Sequence, residues 1–210
     1  MNKYLVELIG TFFIVFTVGL GSNPLSVGFA YISLIYLGYN ISGAHYNPAI
    51  SFVMFLKKKL DFKNLSFYVL FQISGACLAA LSIHLMKSNM QIQPVLADSI
   101  YSVLFMEAIF TFLIVLIYLR VTGDNYKNNS YYGLAIGLPL IAGIFSAAPV
   151  SSAVFNPAVS IGPSIIDIIT DDGVSQYFLW YYIIGPLSGA VLAFIVDRFI
   201  RSEEHTSELQ

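Results

Sequence analysis

Long apolar runs, broken by short polar stretches, organise this chain. Six of them, 4–20, 25–39, 65–86, 102–120, 132–148 and 177–199, approach the length needed to cross a lipid bilayer. A helix of roughly 20 residues covers about 30 Å of hydrocarbon, so several runs must borrow flanking turns. Helices are the expected form, because each satisfies its own backbone hydrogen bonds where water is absent. The alternating segments of a membrane β-barrel are not visible. Two further apolar segments, 47–55 and 156–169, are too short to span. Each opens on the same tripeptide, Asn47-Pro48-Ala49 and Asn156-Pro157-Ala158. Short helical pieces at membrane depth persist only inside protein or along a water-filled cavity.

The two halves of the chain match each other. Glu7-Leu8-Ile9-Gly10-Thr11-Phe12-Phe13-Ile14-Val15 reappears as Glu107-Ala108-Ile109-Phe110-Thr111-Phe112-Leu113-Ile114-Val115, and Ser74-Gly75-Ala76 as Ser188-Gly189-Ala190. With the Asn-Pro-Ala triplets, the matches fall in the same order, which defines an internal repeat at about 3–87 and 101–200. An odd number of spans per half inverts the second half in the membrane. The expected architecture is an all-α membrane protein in one domain, 1–200. It has six transmembrane helices and two re-entrant half-helices arranged as an inverted repeat. The first run carries Glu7 and is followed by further spans, so it reads as a retained span rather than a cleaved signal. The small residues Gly75 and Gly189 suit close helix packing.

Basic residues orient the chain. With the N-terminus in the cytoplasm, Lys3, Lys57, Lys58, Lys59, Lys63, Arg120, Lys127 and Arg198 fall inside, and only Lys87 outside. The outer loops are expected to hold Asp98, Asp167, Asp171 and Asp172. This bias follows the positive-inside rule and predicts a multi-pass protein of the plasma (cytoplasmic) membrane. Lys57–Lys59 also suit a lipid-surface anchor.

Composition agrees. The chain is 57% hydrophobic and 10% charged, with a mean hydropathy of +0.76. Soluble domains carry about 25% charged residues, so membrane lipid is the expected surrounding. A net charge of −2 argues against a nucleic-acid surface. The single Cys77 leaves no internal disulfide. The three histidines, His45, His84 and His205, form no metal-ligand pattern, and no nucleophile–base pair or nucleotide motif is visible, so neither enzyme nor cofactor nor metal is expected. His84 reads as interfacial. The last residues, 201–210 (RSEEHTSELQ), read like the translation of a sequencing-adapter oligonucleotide, which places the native end near Ile200 or beyond it.

Asn is a strong helix N-cap and Pro is favoured at the first helical position, so Asn-Pro starts a helix abruptly. Two such starts in inverted repeats face each other near the bilayer midplane, each bringing about half a positive charge from its helix dipole. Paired positive ends at one constriction repel cations and hydronium. Each Asn keeps amide N–H groups to donate to a passing oxygen. One Asn-Pro-Ala alone is an ordinary helix start; the pair on short membrane segments is a strong signal.

The stretches Ile41-Ser42-Gly43-Ala44-His45-Tyr46-Asn47-Pro48-Ala49-Ile50 and Ser152-Ala153-Val154-Phe155-Asn156-Pro157-Ala158-Val159-Ser160 resemble the aquaporin, or major intrinsic protein, family across nearly all of 4–200. The resemblance implies a passive pore for water and small uncharged solutes in each subunit of a homotetramer. Its centre would be lined by Asn47, Pro48, Ala49, Asn156, Pro157 and Ala158. It also implies that Glu7 and Glu107 hold the backbone of the re-entrant loops and that His45 braces the first. A carboxylate in a membrane helix is costly without partners. A proton relay is the rival role for these acids, but no basic residue stands at matching depth.

One feature departs from the family. Its outer constriction usually has an Arg three residues after the second Asn, where this chain has Val159. Gly28 and Pro149 anchor the alignment and place the other constriction positions at Val27, Ile144 and Ala153. Four apolar residues remove a positive barrier and the donors an Arg would offer. Polar contacts are then expected from backbone carbonyls around 42–46 and 151–155. A less water-specific pore follows, with glycerol, urea, ammonia or hydrogen peroxide as candidate solutes. Ser160 pulls the other way, since it resembles water channels, whereas glycerol channels typically have Asp there. Two other classes compete. A non-conducting structural or adhesion relative would have too narrow a constriction, and a secondary transporter would carry more charged residues at the midplane.

Overall fold

Apolar sequence becomes helix wherever lipid is the solvent, and the computed structural model shows the outcome for residues 2–21, 23–86, 90–95, 99–123 and 129–207, with side chains described as far as Ser202. Lys87, Asp98 and Lys127, and the side chain of His205, lie outside the described residues. The elements are α1 (Asn2–Gly21), α2 (Pro24–Ser42), α3 (Pro48–Leu56), α4 (Phe62–Met86), α5 (Ile100–Val121), α6 (Tyr132–Ser151), α7 (Pro157–Thr170), a 3-10 helix (Val174–Phe178) and α8 (Tyr181–Ser207). Among the described residues no strand occurs. Among the described residues six helical stretches are long and apolar enough to cross a membrane; α3 and α7 are the short ones.

The helices extend the apolar runs by a turn or less at most ends, and a polar side chain caps the start of α2. Asn23 accepts from Leu25 N at 3.0 Å and Ser26 N at 3.4 Å, with Pro24 in the first turn of α2. The same device starts α3 at Asn47-Pro48 and α7 at Asn156-Pro157. Asn-Pro is therefore a helix start in its own right. The last span differs more. Residues 177–180 belong to the 3-10 helix and a turn, so α8 begins at Tyr181, and it runs past Ile200 to Ser207. Asp167, expected in an outer loop, sits inside α7 and is 1% exposed. Its Oδ2 accepts from Ser175 N at 2.9 Å, which ties the 3-10 helix back onto α7.

The packing repeats. α1 lies on α4 as α5 lies on α8, α1 meets α2 as α5 meets α6, and α2 against α6 joins the halves. At the two equivalent crossings glycine allows backbone to touch backbone. A Cβ on Gly75 would meet the Leu8 carbonyl, and one on Gly189 the Ala108 carbonyl. Removing the Cβ lets helices approach closely where lipid supplies no hydrophobic drive. α3 packs on α4 and α8, and α7 on α4, so each half-helix is held partly by the other repeat.

The distribution of polarity is inside-out. Phe29, Leu37, Phe105, Phe145 and Ile169 are more than half exposed on the outer faces, while Glu7, Gln72, Glu107, Asn47 and Asn156 are buried. A protein in lipid has apolar groups to spare on its surface and must satisfy its polar groups internally.

Candidate functional site

The residues before each half-helix cannot be helical, because the chain must turn back into the bundle. Each loop does so through left-handed backbone. Gly43 (φ 86), Ala44 (φ 51) and Tyr46 (φ 50) form the first, and Ser152 (φ 67), Ala153 (φ 54) and Phe155 (φ 53) the second. Non-glycine residues in this region are sparse and persist only where surroundings over-determine them.

Glu7 and Glu107 supply those surroundings. Glu7 accepts from Ser42 Oγ (2.7 Å) and His45 N (3.0 Å) through Oε1, and from Tyr46 N (2.6 Å) and Gln72 Nε2 (2.7 Å) through Oε2. Glu107 accepts from Ser151 Oγ (2.7 Å) and Val154 N (3.0 Å) through Oε1, and from Phe155 N (2.6 Å) through Oε2. Both carboxyl groups are fully buried. Ser42 and Ser151 each also accept from the backbone two residues on, at Ala44 N (3.0 Å) and Ala153 N (3.1 Å). Tyr68 Oη donates to Ser42 O and Tyr182 Oη to Ser151 O, both at 2.8 Å. These serines and tyrosines escaped the sequence reading; their repeat-related spacing was the available signal.

The two Asn side chains are cross-wired. Asn47 Oδ1 accepts from Ala49 N at 2.8 Å, and its Nδ2 donates to Phe155 O at 3.0 Å. Asn156 Oδ1 accepts from Ala158 N at 3.0 Å, and its Nδ2 donates to Tyr46 O at 2.8 Å. Each Asn thus caps its own half-helix and grips the other repeat's loop. An amide nitrogen carries two hydrogens, so one on each Asn is not committed to these contacts. Pro48, Ala49, Pro157 and Ala158 are buried at the junction.

His45 lies 3.0 Å through Nδ1 from Ser51 Oγ, which also accepts from Gln72 Nε2 at 2.9 Å. Among the described residues repeat two has no such network. Ser160, in the position of Ser51, donates to Pro157 O at 3.0 Å.

Two cavities flank this junction. The first, about 320 Å³, is lined by Asn47, Asn156 and all four proposed constriction residues, Val27, Ile144, Ala153 and Val159. Those four are at most 8% exposed. The rest of its wall includes Ile14 and Ile114, Tyr31, Leu140 and the segment Met90-Gln91-Ile92. That segment is fastened across the mouth: Ile92 N donates to Ser175 Oγ (2.9 Å) and Ser152 Oγ donates to Gln93 O (2.6 Å). The second cavity, about 340 Å³, opens among Lys3, Lys59, His45, Tyr39, Tyr68 and Tyr118. The first uses the end of α1 and the start of α2; the second uses the start of α1 and the end of α2, so they open toward opposite ends of the bundle. Among the described residues no cluster of His, Cys, Asp and Glu suited to a metal occurs.

Comparison with known proteins is consistent across three lines. The family described as Major intrinsic protein matches residues 1–196. The chain is 32% identical to glycerol uptake facilitator protein-like 6 of Lactiplantibacillus plantarum, covering 97% of this chain and 100% of that one. It is 30% identical to aquaporin NIP1-1 of Oryza sativa subsp. japonica over 91% of this chain and 71% of that protein. In fold it is similar to the aquaglyceroporin of Plasmodium falciparum, with a TM-score of 0.76 at 22% identity, over 94% of this chain and 96% of that one.

Proposed function

The chain belongs to the major intrinsic protein family of membrane channels for water and small solutes, and on that premise we propose that Asn47 and Asn156 form the centre of its conducting path. The observation that carries this is the reciprocal bonding of the two Asn side chains to the opposite loops at the end of one cavity. Two half-helix N-termini meet there. Their dipoles disfavour a cation, and the remaining amide hydrogens offer a neutral solute a donor in place of lost water.

Val27, Ile144, Ala153 and Val159 form the outer constriction. With no charge or side-chain donor in that ring, a solute passing it keeps few fixed partners. The ring favours small neutral solutes, such as glycerol, urea, ammonia or hydrogen peroxide, over a strictly water-specific stream. Glu7, Glu107 and His45 hold the loops and do not conduct. The clustering of Lys3, Lys57, Lys58, Lys59, Lys63, Arg120 and Arg198 supports a cytoplasmic N-terminus in a plasma membrane. Residues 1–200 act as one channel domain, 201–210 are foreign to it, and the working unit is a homotetramer.

Stopped-flow light scattering on proteoliposomes tests the proposal. The wild type should pass water or a small neutral solute faster than empty vesicles, without saturation. Val159→Arg should lower solute flux relative to water flux. Vesicles no faster than empty ones for any solute would return the reading to a non-conducting relative.

A further inference from the structure

Below the apolar ring, the wall of the first cavity contains one side chain that the channel reading leaves without a role. Tyr31 is 4% exposed and lines that cavity. Among the described residues no hydrogen bond engages its hydroxyl, and the side chain forms part of the cavity wall. A buried tyrosine hydroxyl ordinarily finds a protein partner. Tyr46, Tyr68, Tyr118 and Tyr182 all do, donating to Leu34 O, Ser42 O, Gly43 O and Ser151 O.

Its depth follows from helix geometry. Residues four apart share a face of a helix, so Tyr31 stands one turn from Val27 on α2. α2 and α6 run antiparallel: Gly28 faces Ile141, Gly137 faces Ile32 and Gly133 faces Tyr36. Leu140 on α6 therefore stands two residues, about 3 Å, from the level of Tyr31, and Ile144 as far from the level of Val27. The direction from Val27 to Tyr31 leads toward the end of α2 and the loop that carries Asn47. The same wall also presents the aliphatic side chains of Ile14, Ile114 and Leu140.

Resting on the channel reading, we propose that Tyr31 is a specificity-determining residue, its hydroxyl serving as the first side-chain hydrogen-bonding group a neutral solute meets after the apolar ring and before the Asn pair. A solute squeezed between aliphatic walls has shed part of its hydration. A hydroxyl that both donates and accepts replaces part of that loss. It suits solutes that carry their own hydroxyl or amide groups more than it suits water, which is small enough to keep a neighbouring water in file.

The test is the permeability ratio of glycerol and urea to water in proteoliposomes, for wild type, Tyr31→Phe and Tyr31→Leu. Tyr31→Phe keeps the ring and removes only the oxygen. One lost hydrogen bond at the barrier should lower the glycerol-to-water or urea-to-water ratio by about five-fold, and raise the temperature dependence of solute flux. Tyr31→Leu should lower the ratio as well, while raising water flux through the larger opening. If Tyr31→Phe leaves every ratio unchanged and only Tyr31→Leu alters flux, the residue acts by bulk and the proposal is overturned. A wild type that conducts nothing defeats the channel reading itself, a result distinct from a conducting wild type indifferent to the hydroxyl.

Discussion

The two halves of this protein solve the same folding problem with different means. Both must hold a left-handed loop inside lipid, and both place a buried glutamate under it, at Glu7 and Glu107, with matching distances to two backbone N–H groups and one serine. Repeat one then adds Gln72, Ser51 and His45 to the carboxylate's surroundings. Repeat two has Pro186, Ser160 and Val154 at the corresponding places, and its cradle ends at the glutamate. The shared part is what the backbone demands, since a buried N–H without a partner is expensive. The part that differs is free to follow the surroundings. Repeat one's loop faces the cavity with Lys3 and Lys59, and repeat two's faces the cavity lined by Val27, Ile144 and Val159.

The sharpest break of this comparison removes the shared element. Glu7→Leu and Glu107→Leu should each orphan two buried N–H groups, at about 1–3 kcal/mol apiece. Thermal unfolding in detergent should show both variants severely destabilised, and a well-folded Glu107→Leu would refute equivalence of the two cradles. Next come the helix crossings. Gly75→Val and Gly189→Val push a branched side chain into the Leu8 and Ala108 carbonyls, and each should cost at least about 1–3 kcal/mol by overpacking. Unequal losses would mean that one crossing can relax. Asn47→Ala and Asn156→Ala remove a cap worth about 0.5–2 kcal/mol and one grip on the opposite loop, so both should melt earlier and pass solute less selectively. The smallest effect belongs to repeat one's extra residue. Gln72→Leu removes two donated bonds but also a buried carbonyl oxygen, Oε1, that has no partner, so the net change should stay within about 1 kcal/mol. A loss comparable to Glu7→Leu would show that repeat one depends on its additions.

The fold was largely legible because its main constraints are local. Apolar length marks a span, Asn-Pro marks a helix start, and the matched segments at Glu7 and Glu107 expose the repeat. The end of the last span was not, because Tyr177 and Phe178 are as apolar as a helix but lie in a 3-10 turn that Asp167 anchors through Ser175. Asp167 itself misled for the same reason: a lone acid near a helix end reads as surface until its backbone partner is seen. In the candidate site, the Asn pair follows from motif spacing and the proposed constriction positions from the family resemblance, and one cavity is lined by all of them. Ser42, Ser151, Tyr68 and Tyr182 were hidden because each bonds the backbone of a loop whose shape no residue pattern declares. Tyr31 was hidden as one more aromatic in an apolar helix.

The central claim is that two converging half-helices pass neutral molecules and refuse protons. The most direct measurement follows solute flux and proton flux on the same wild-type proteoliposomes, by light scattering and by an entrapped pH-sensitive dye under an imposed gradient. The account predicts solute entry well above that of empty vesicles, with proton entry indistinguishable from theirs. Protons crossing in step with the solute would contradict it.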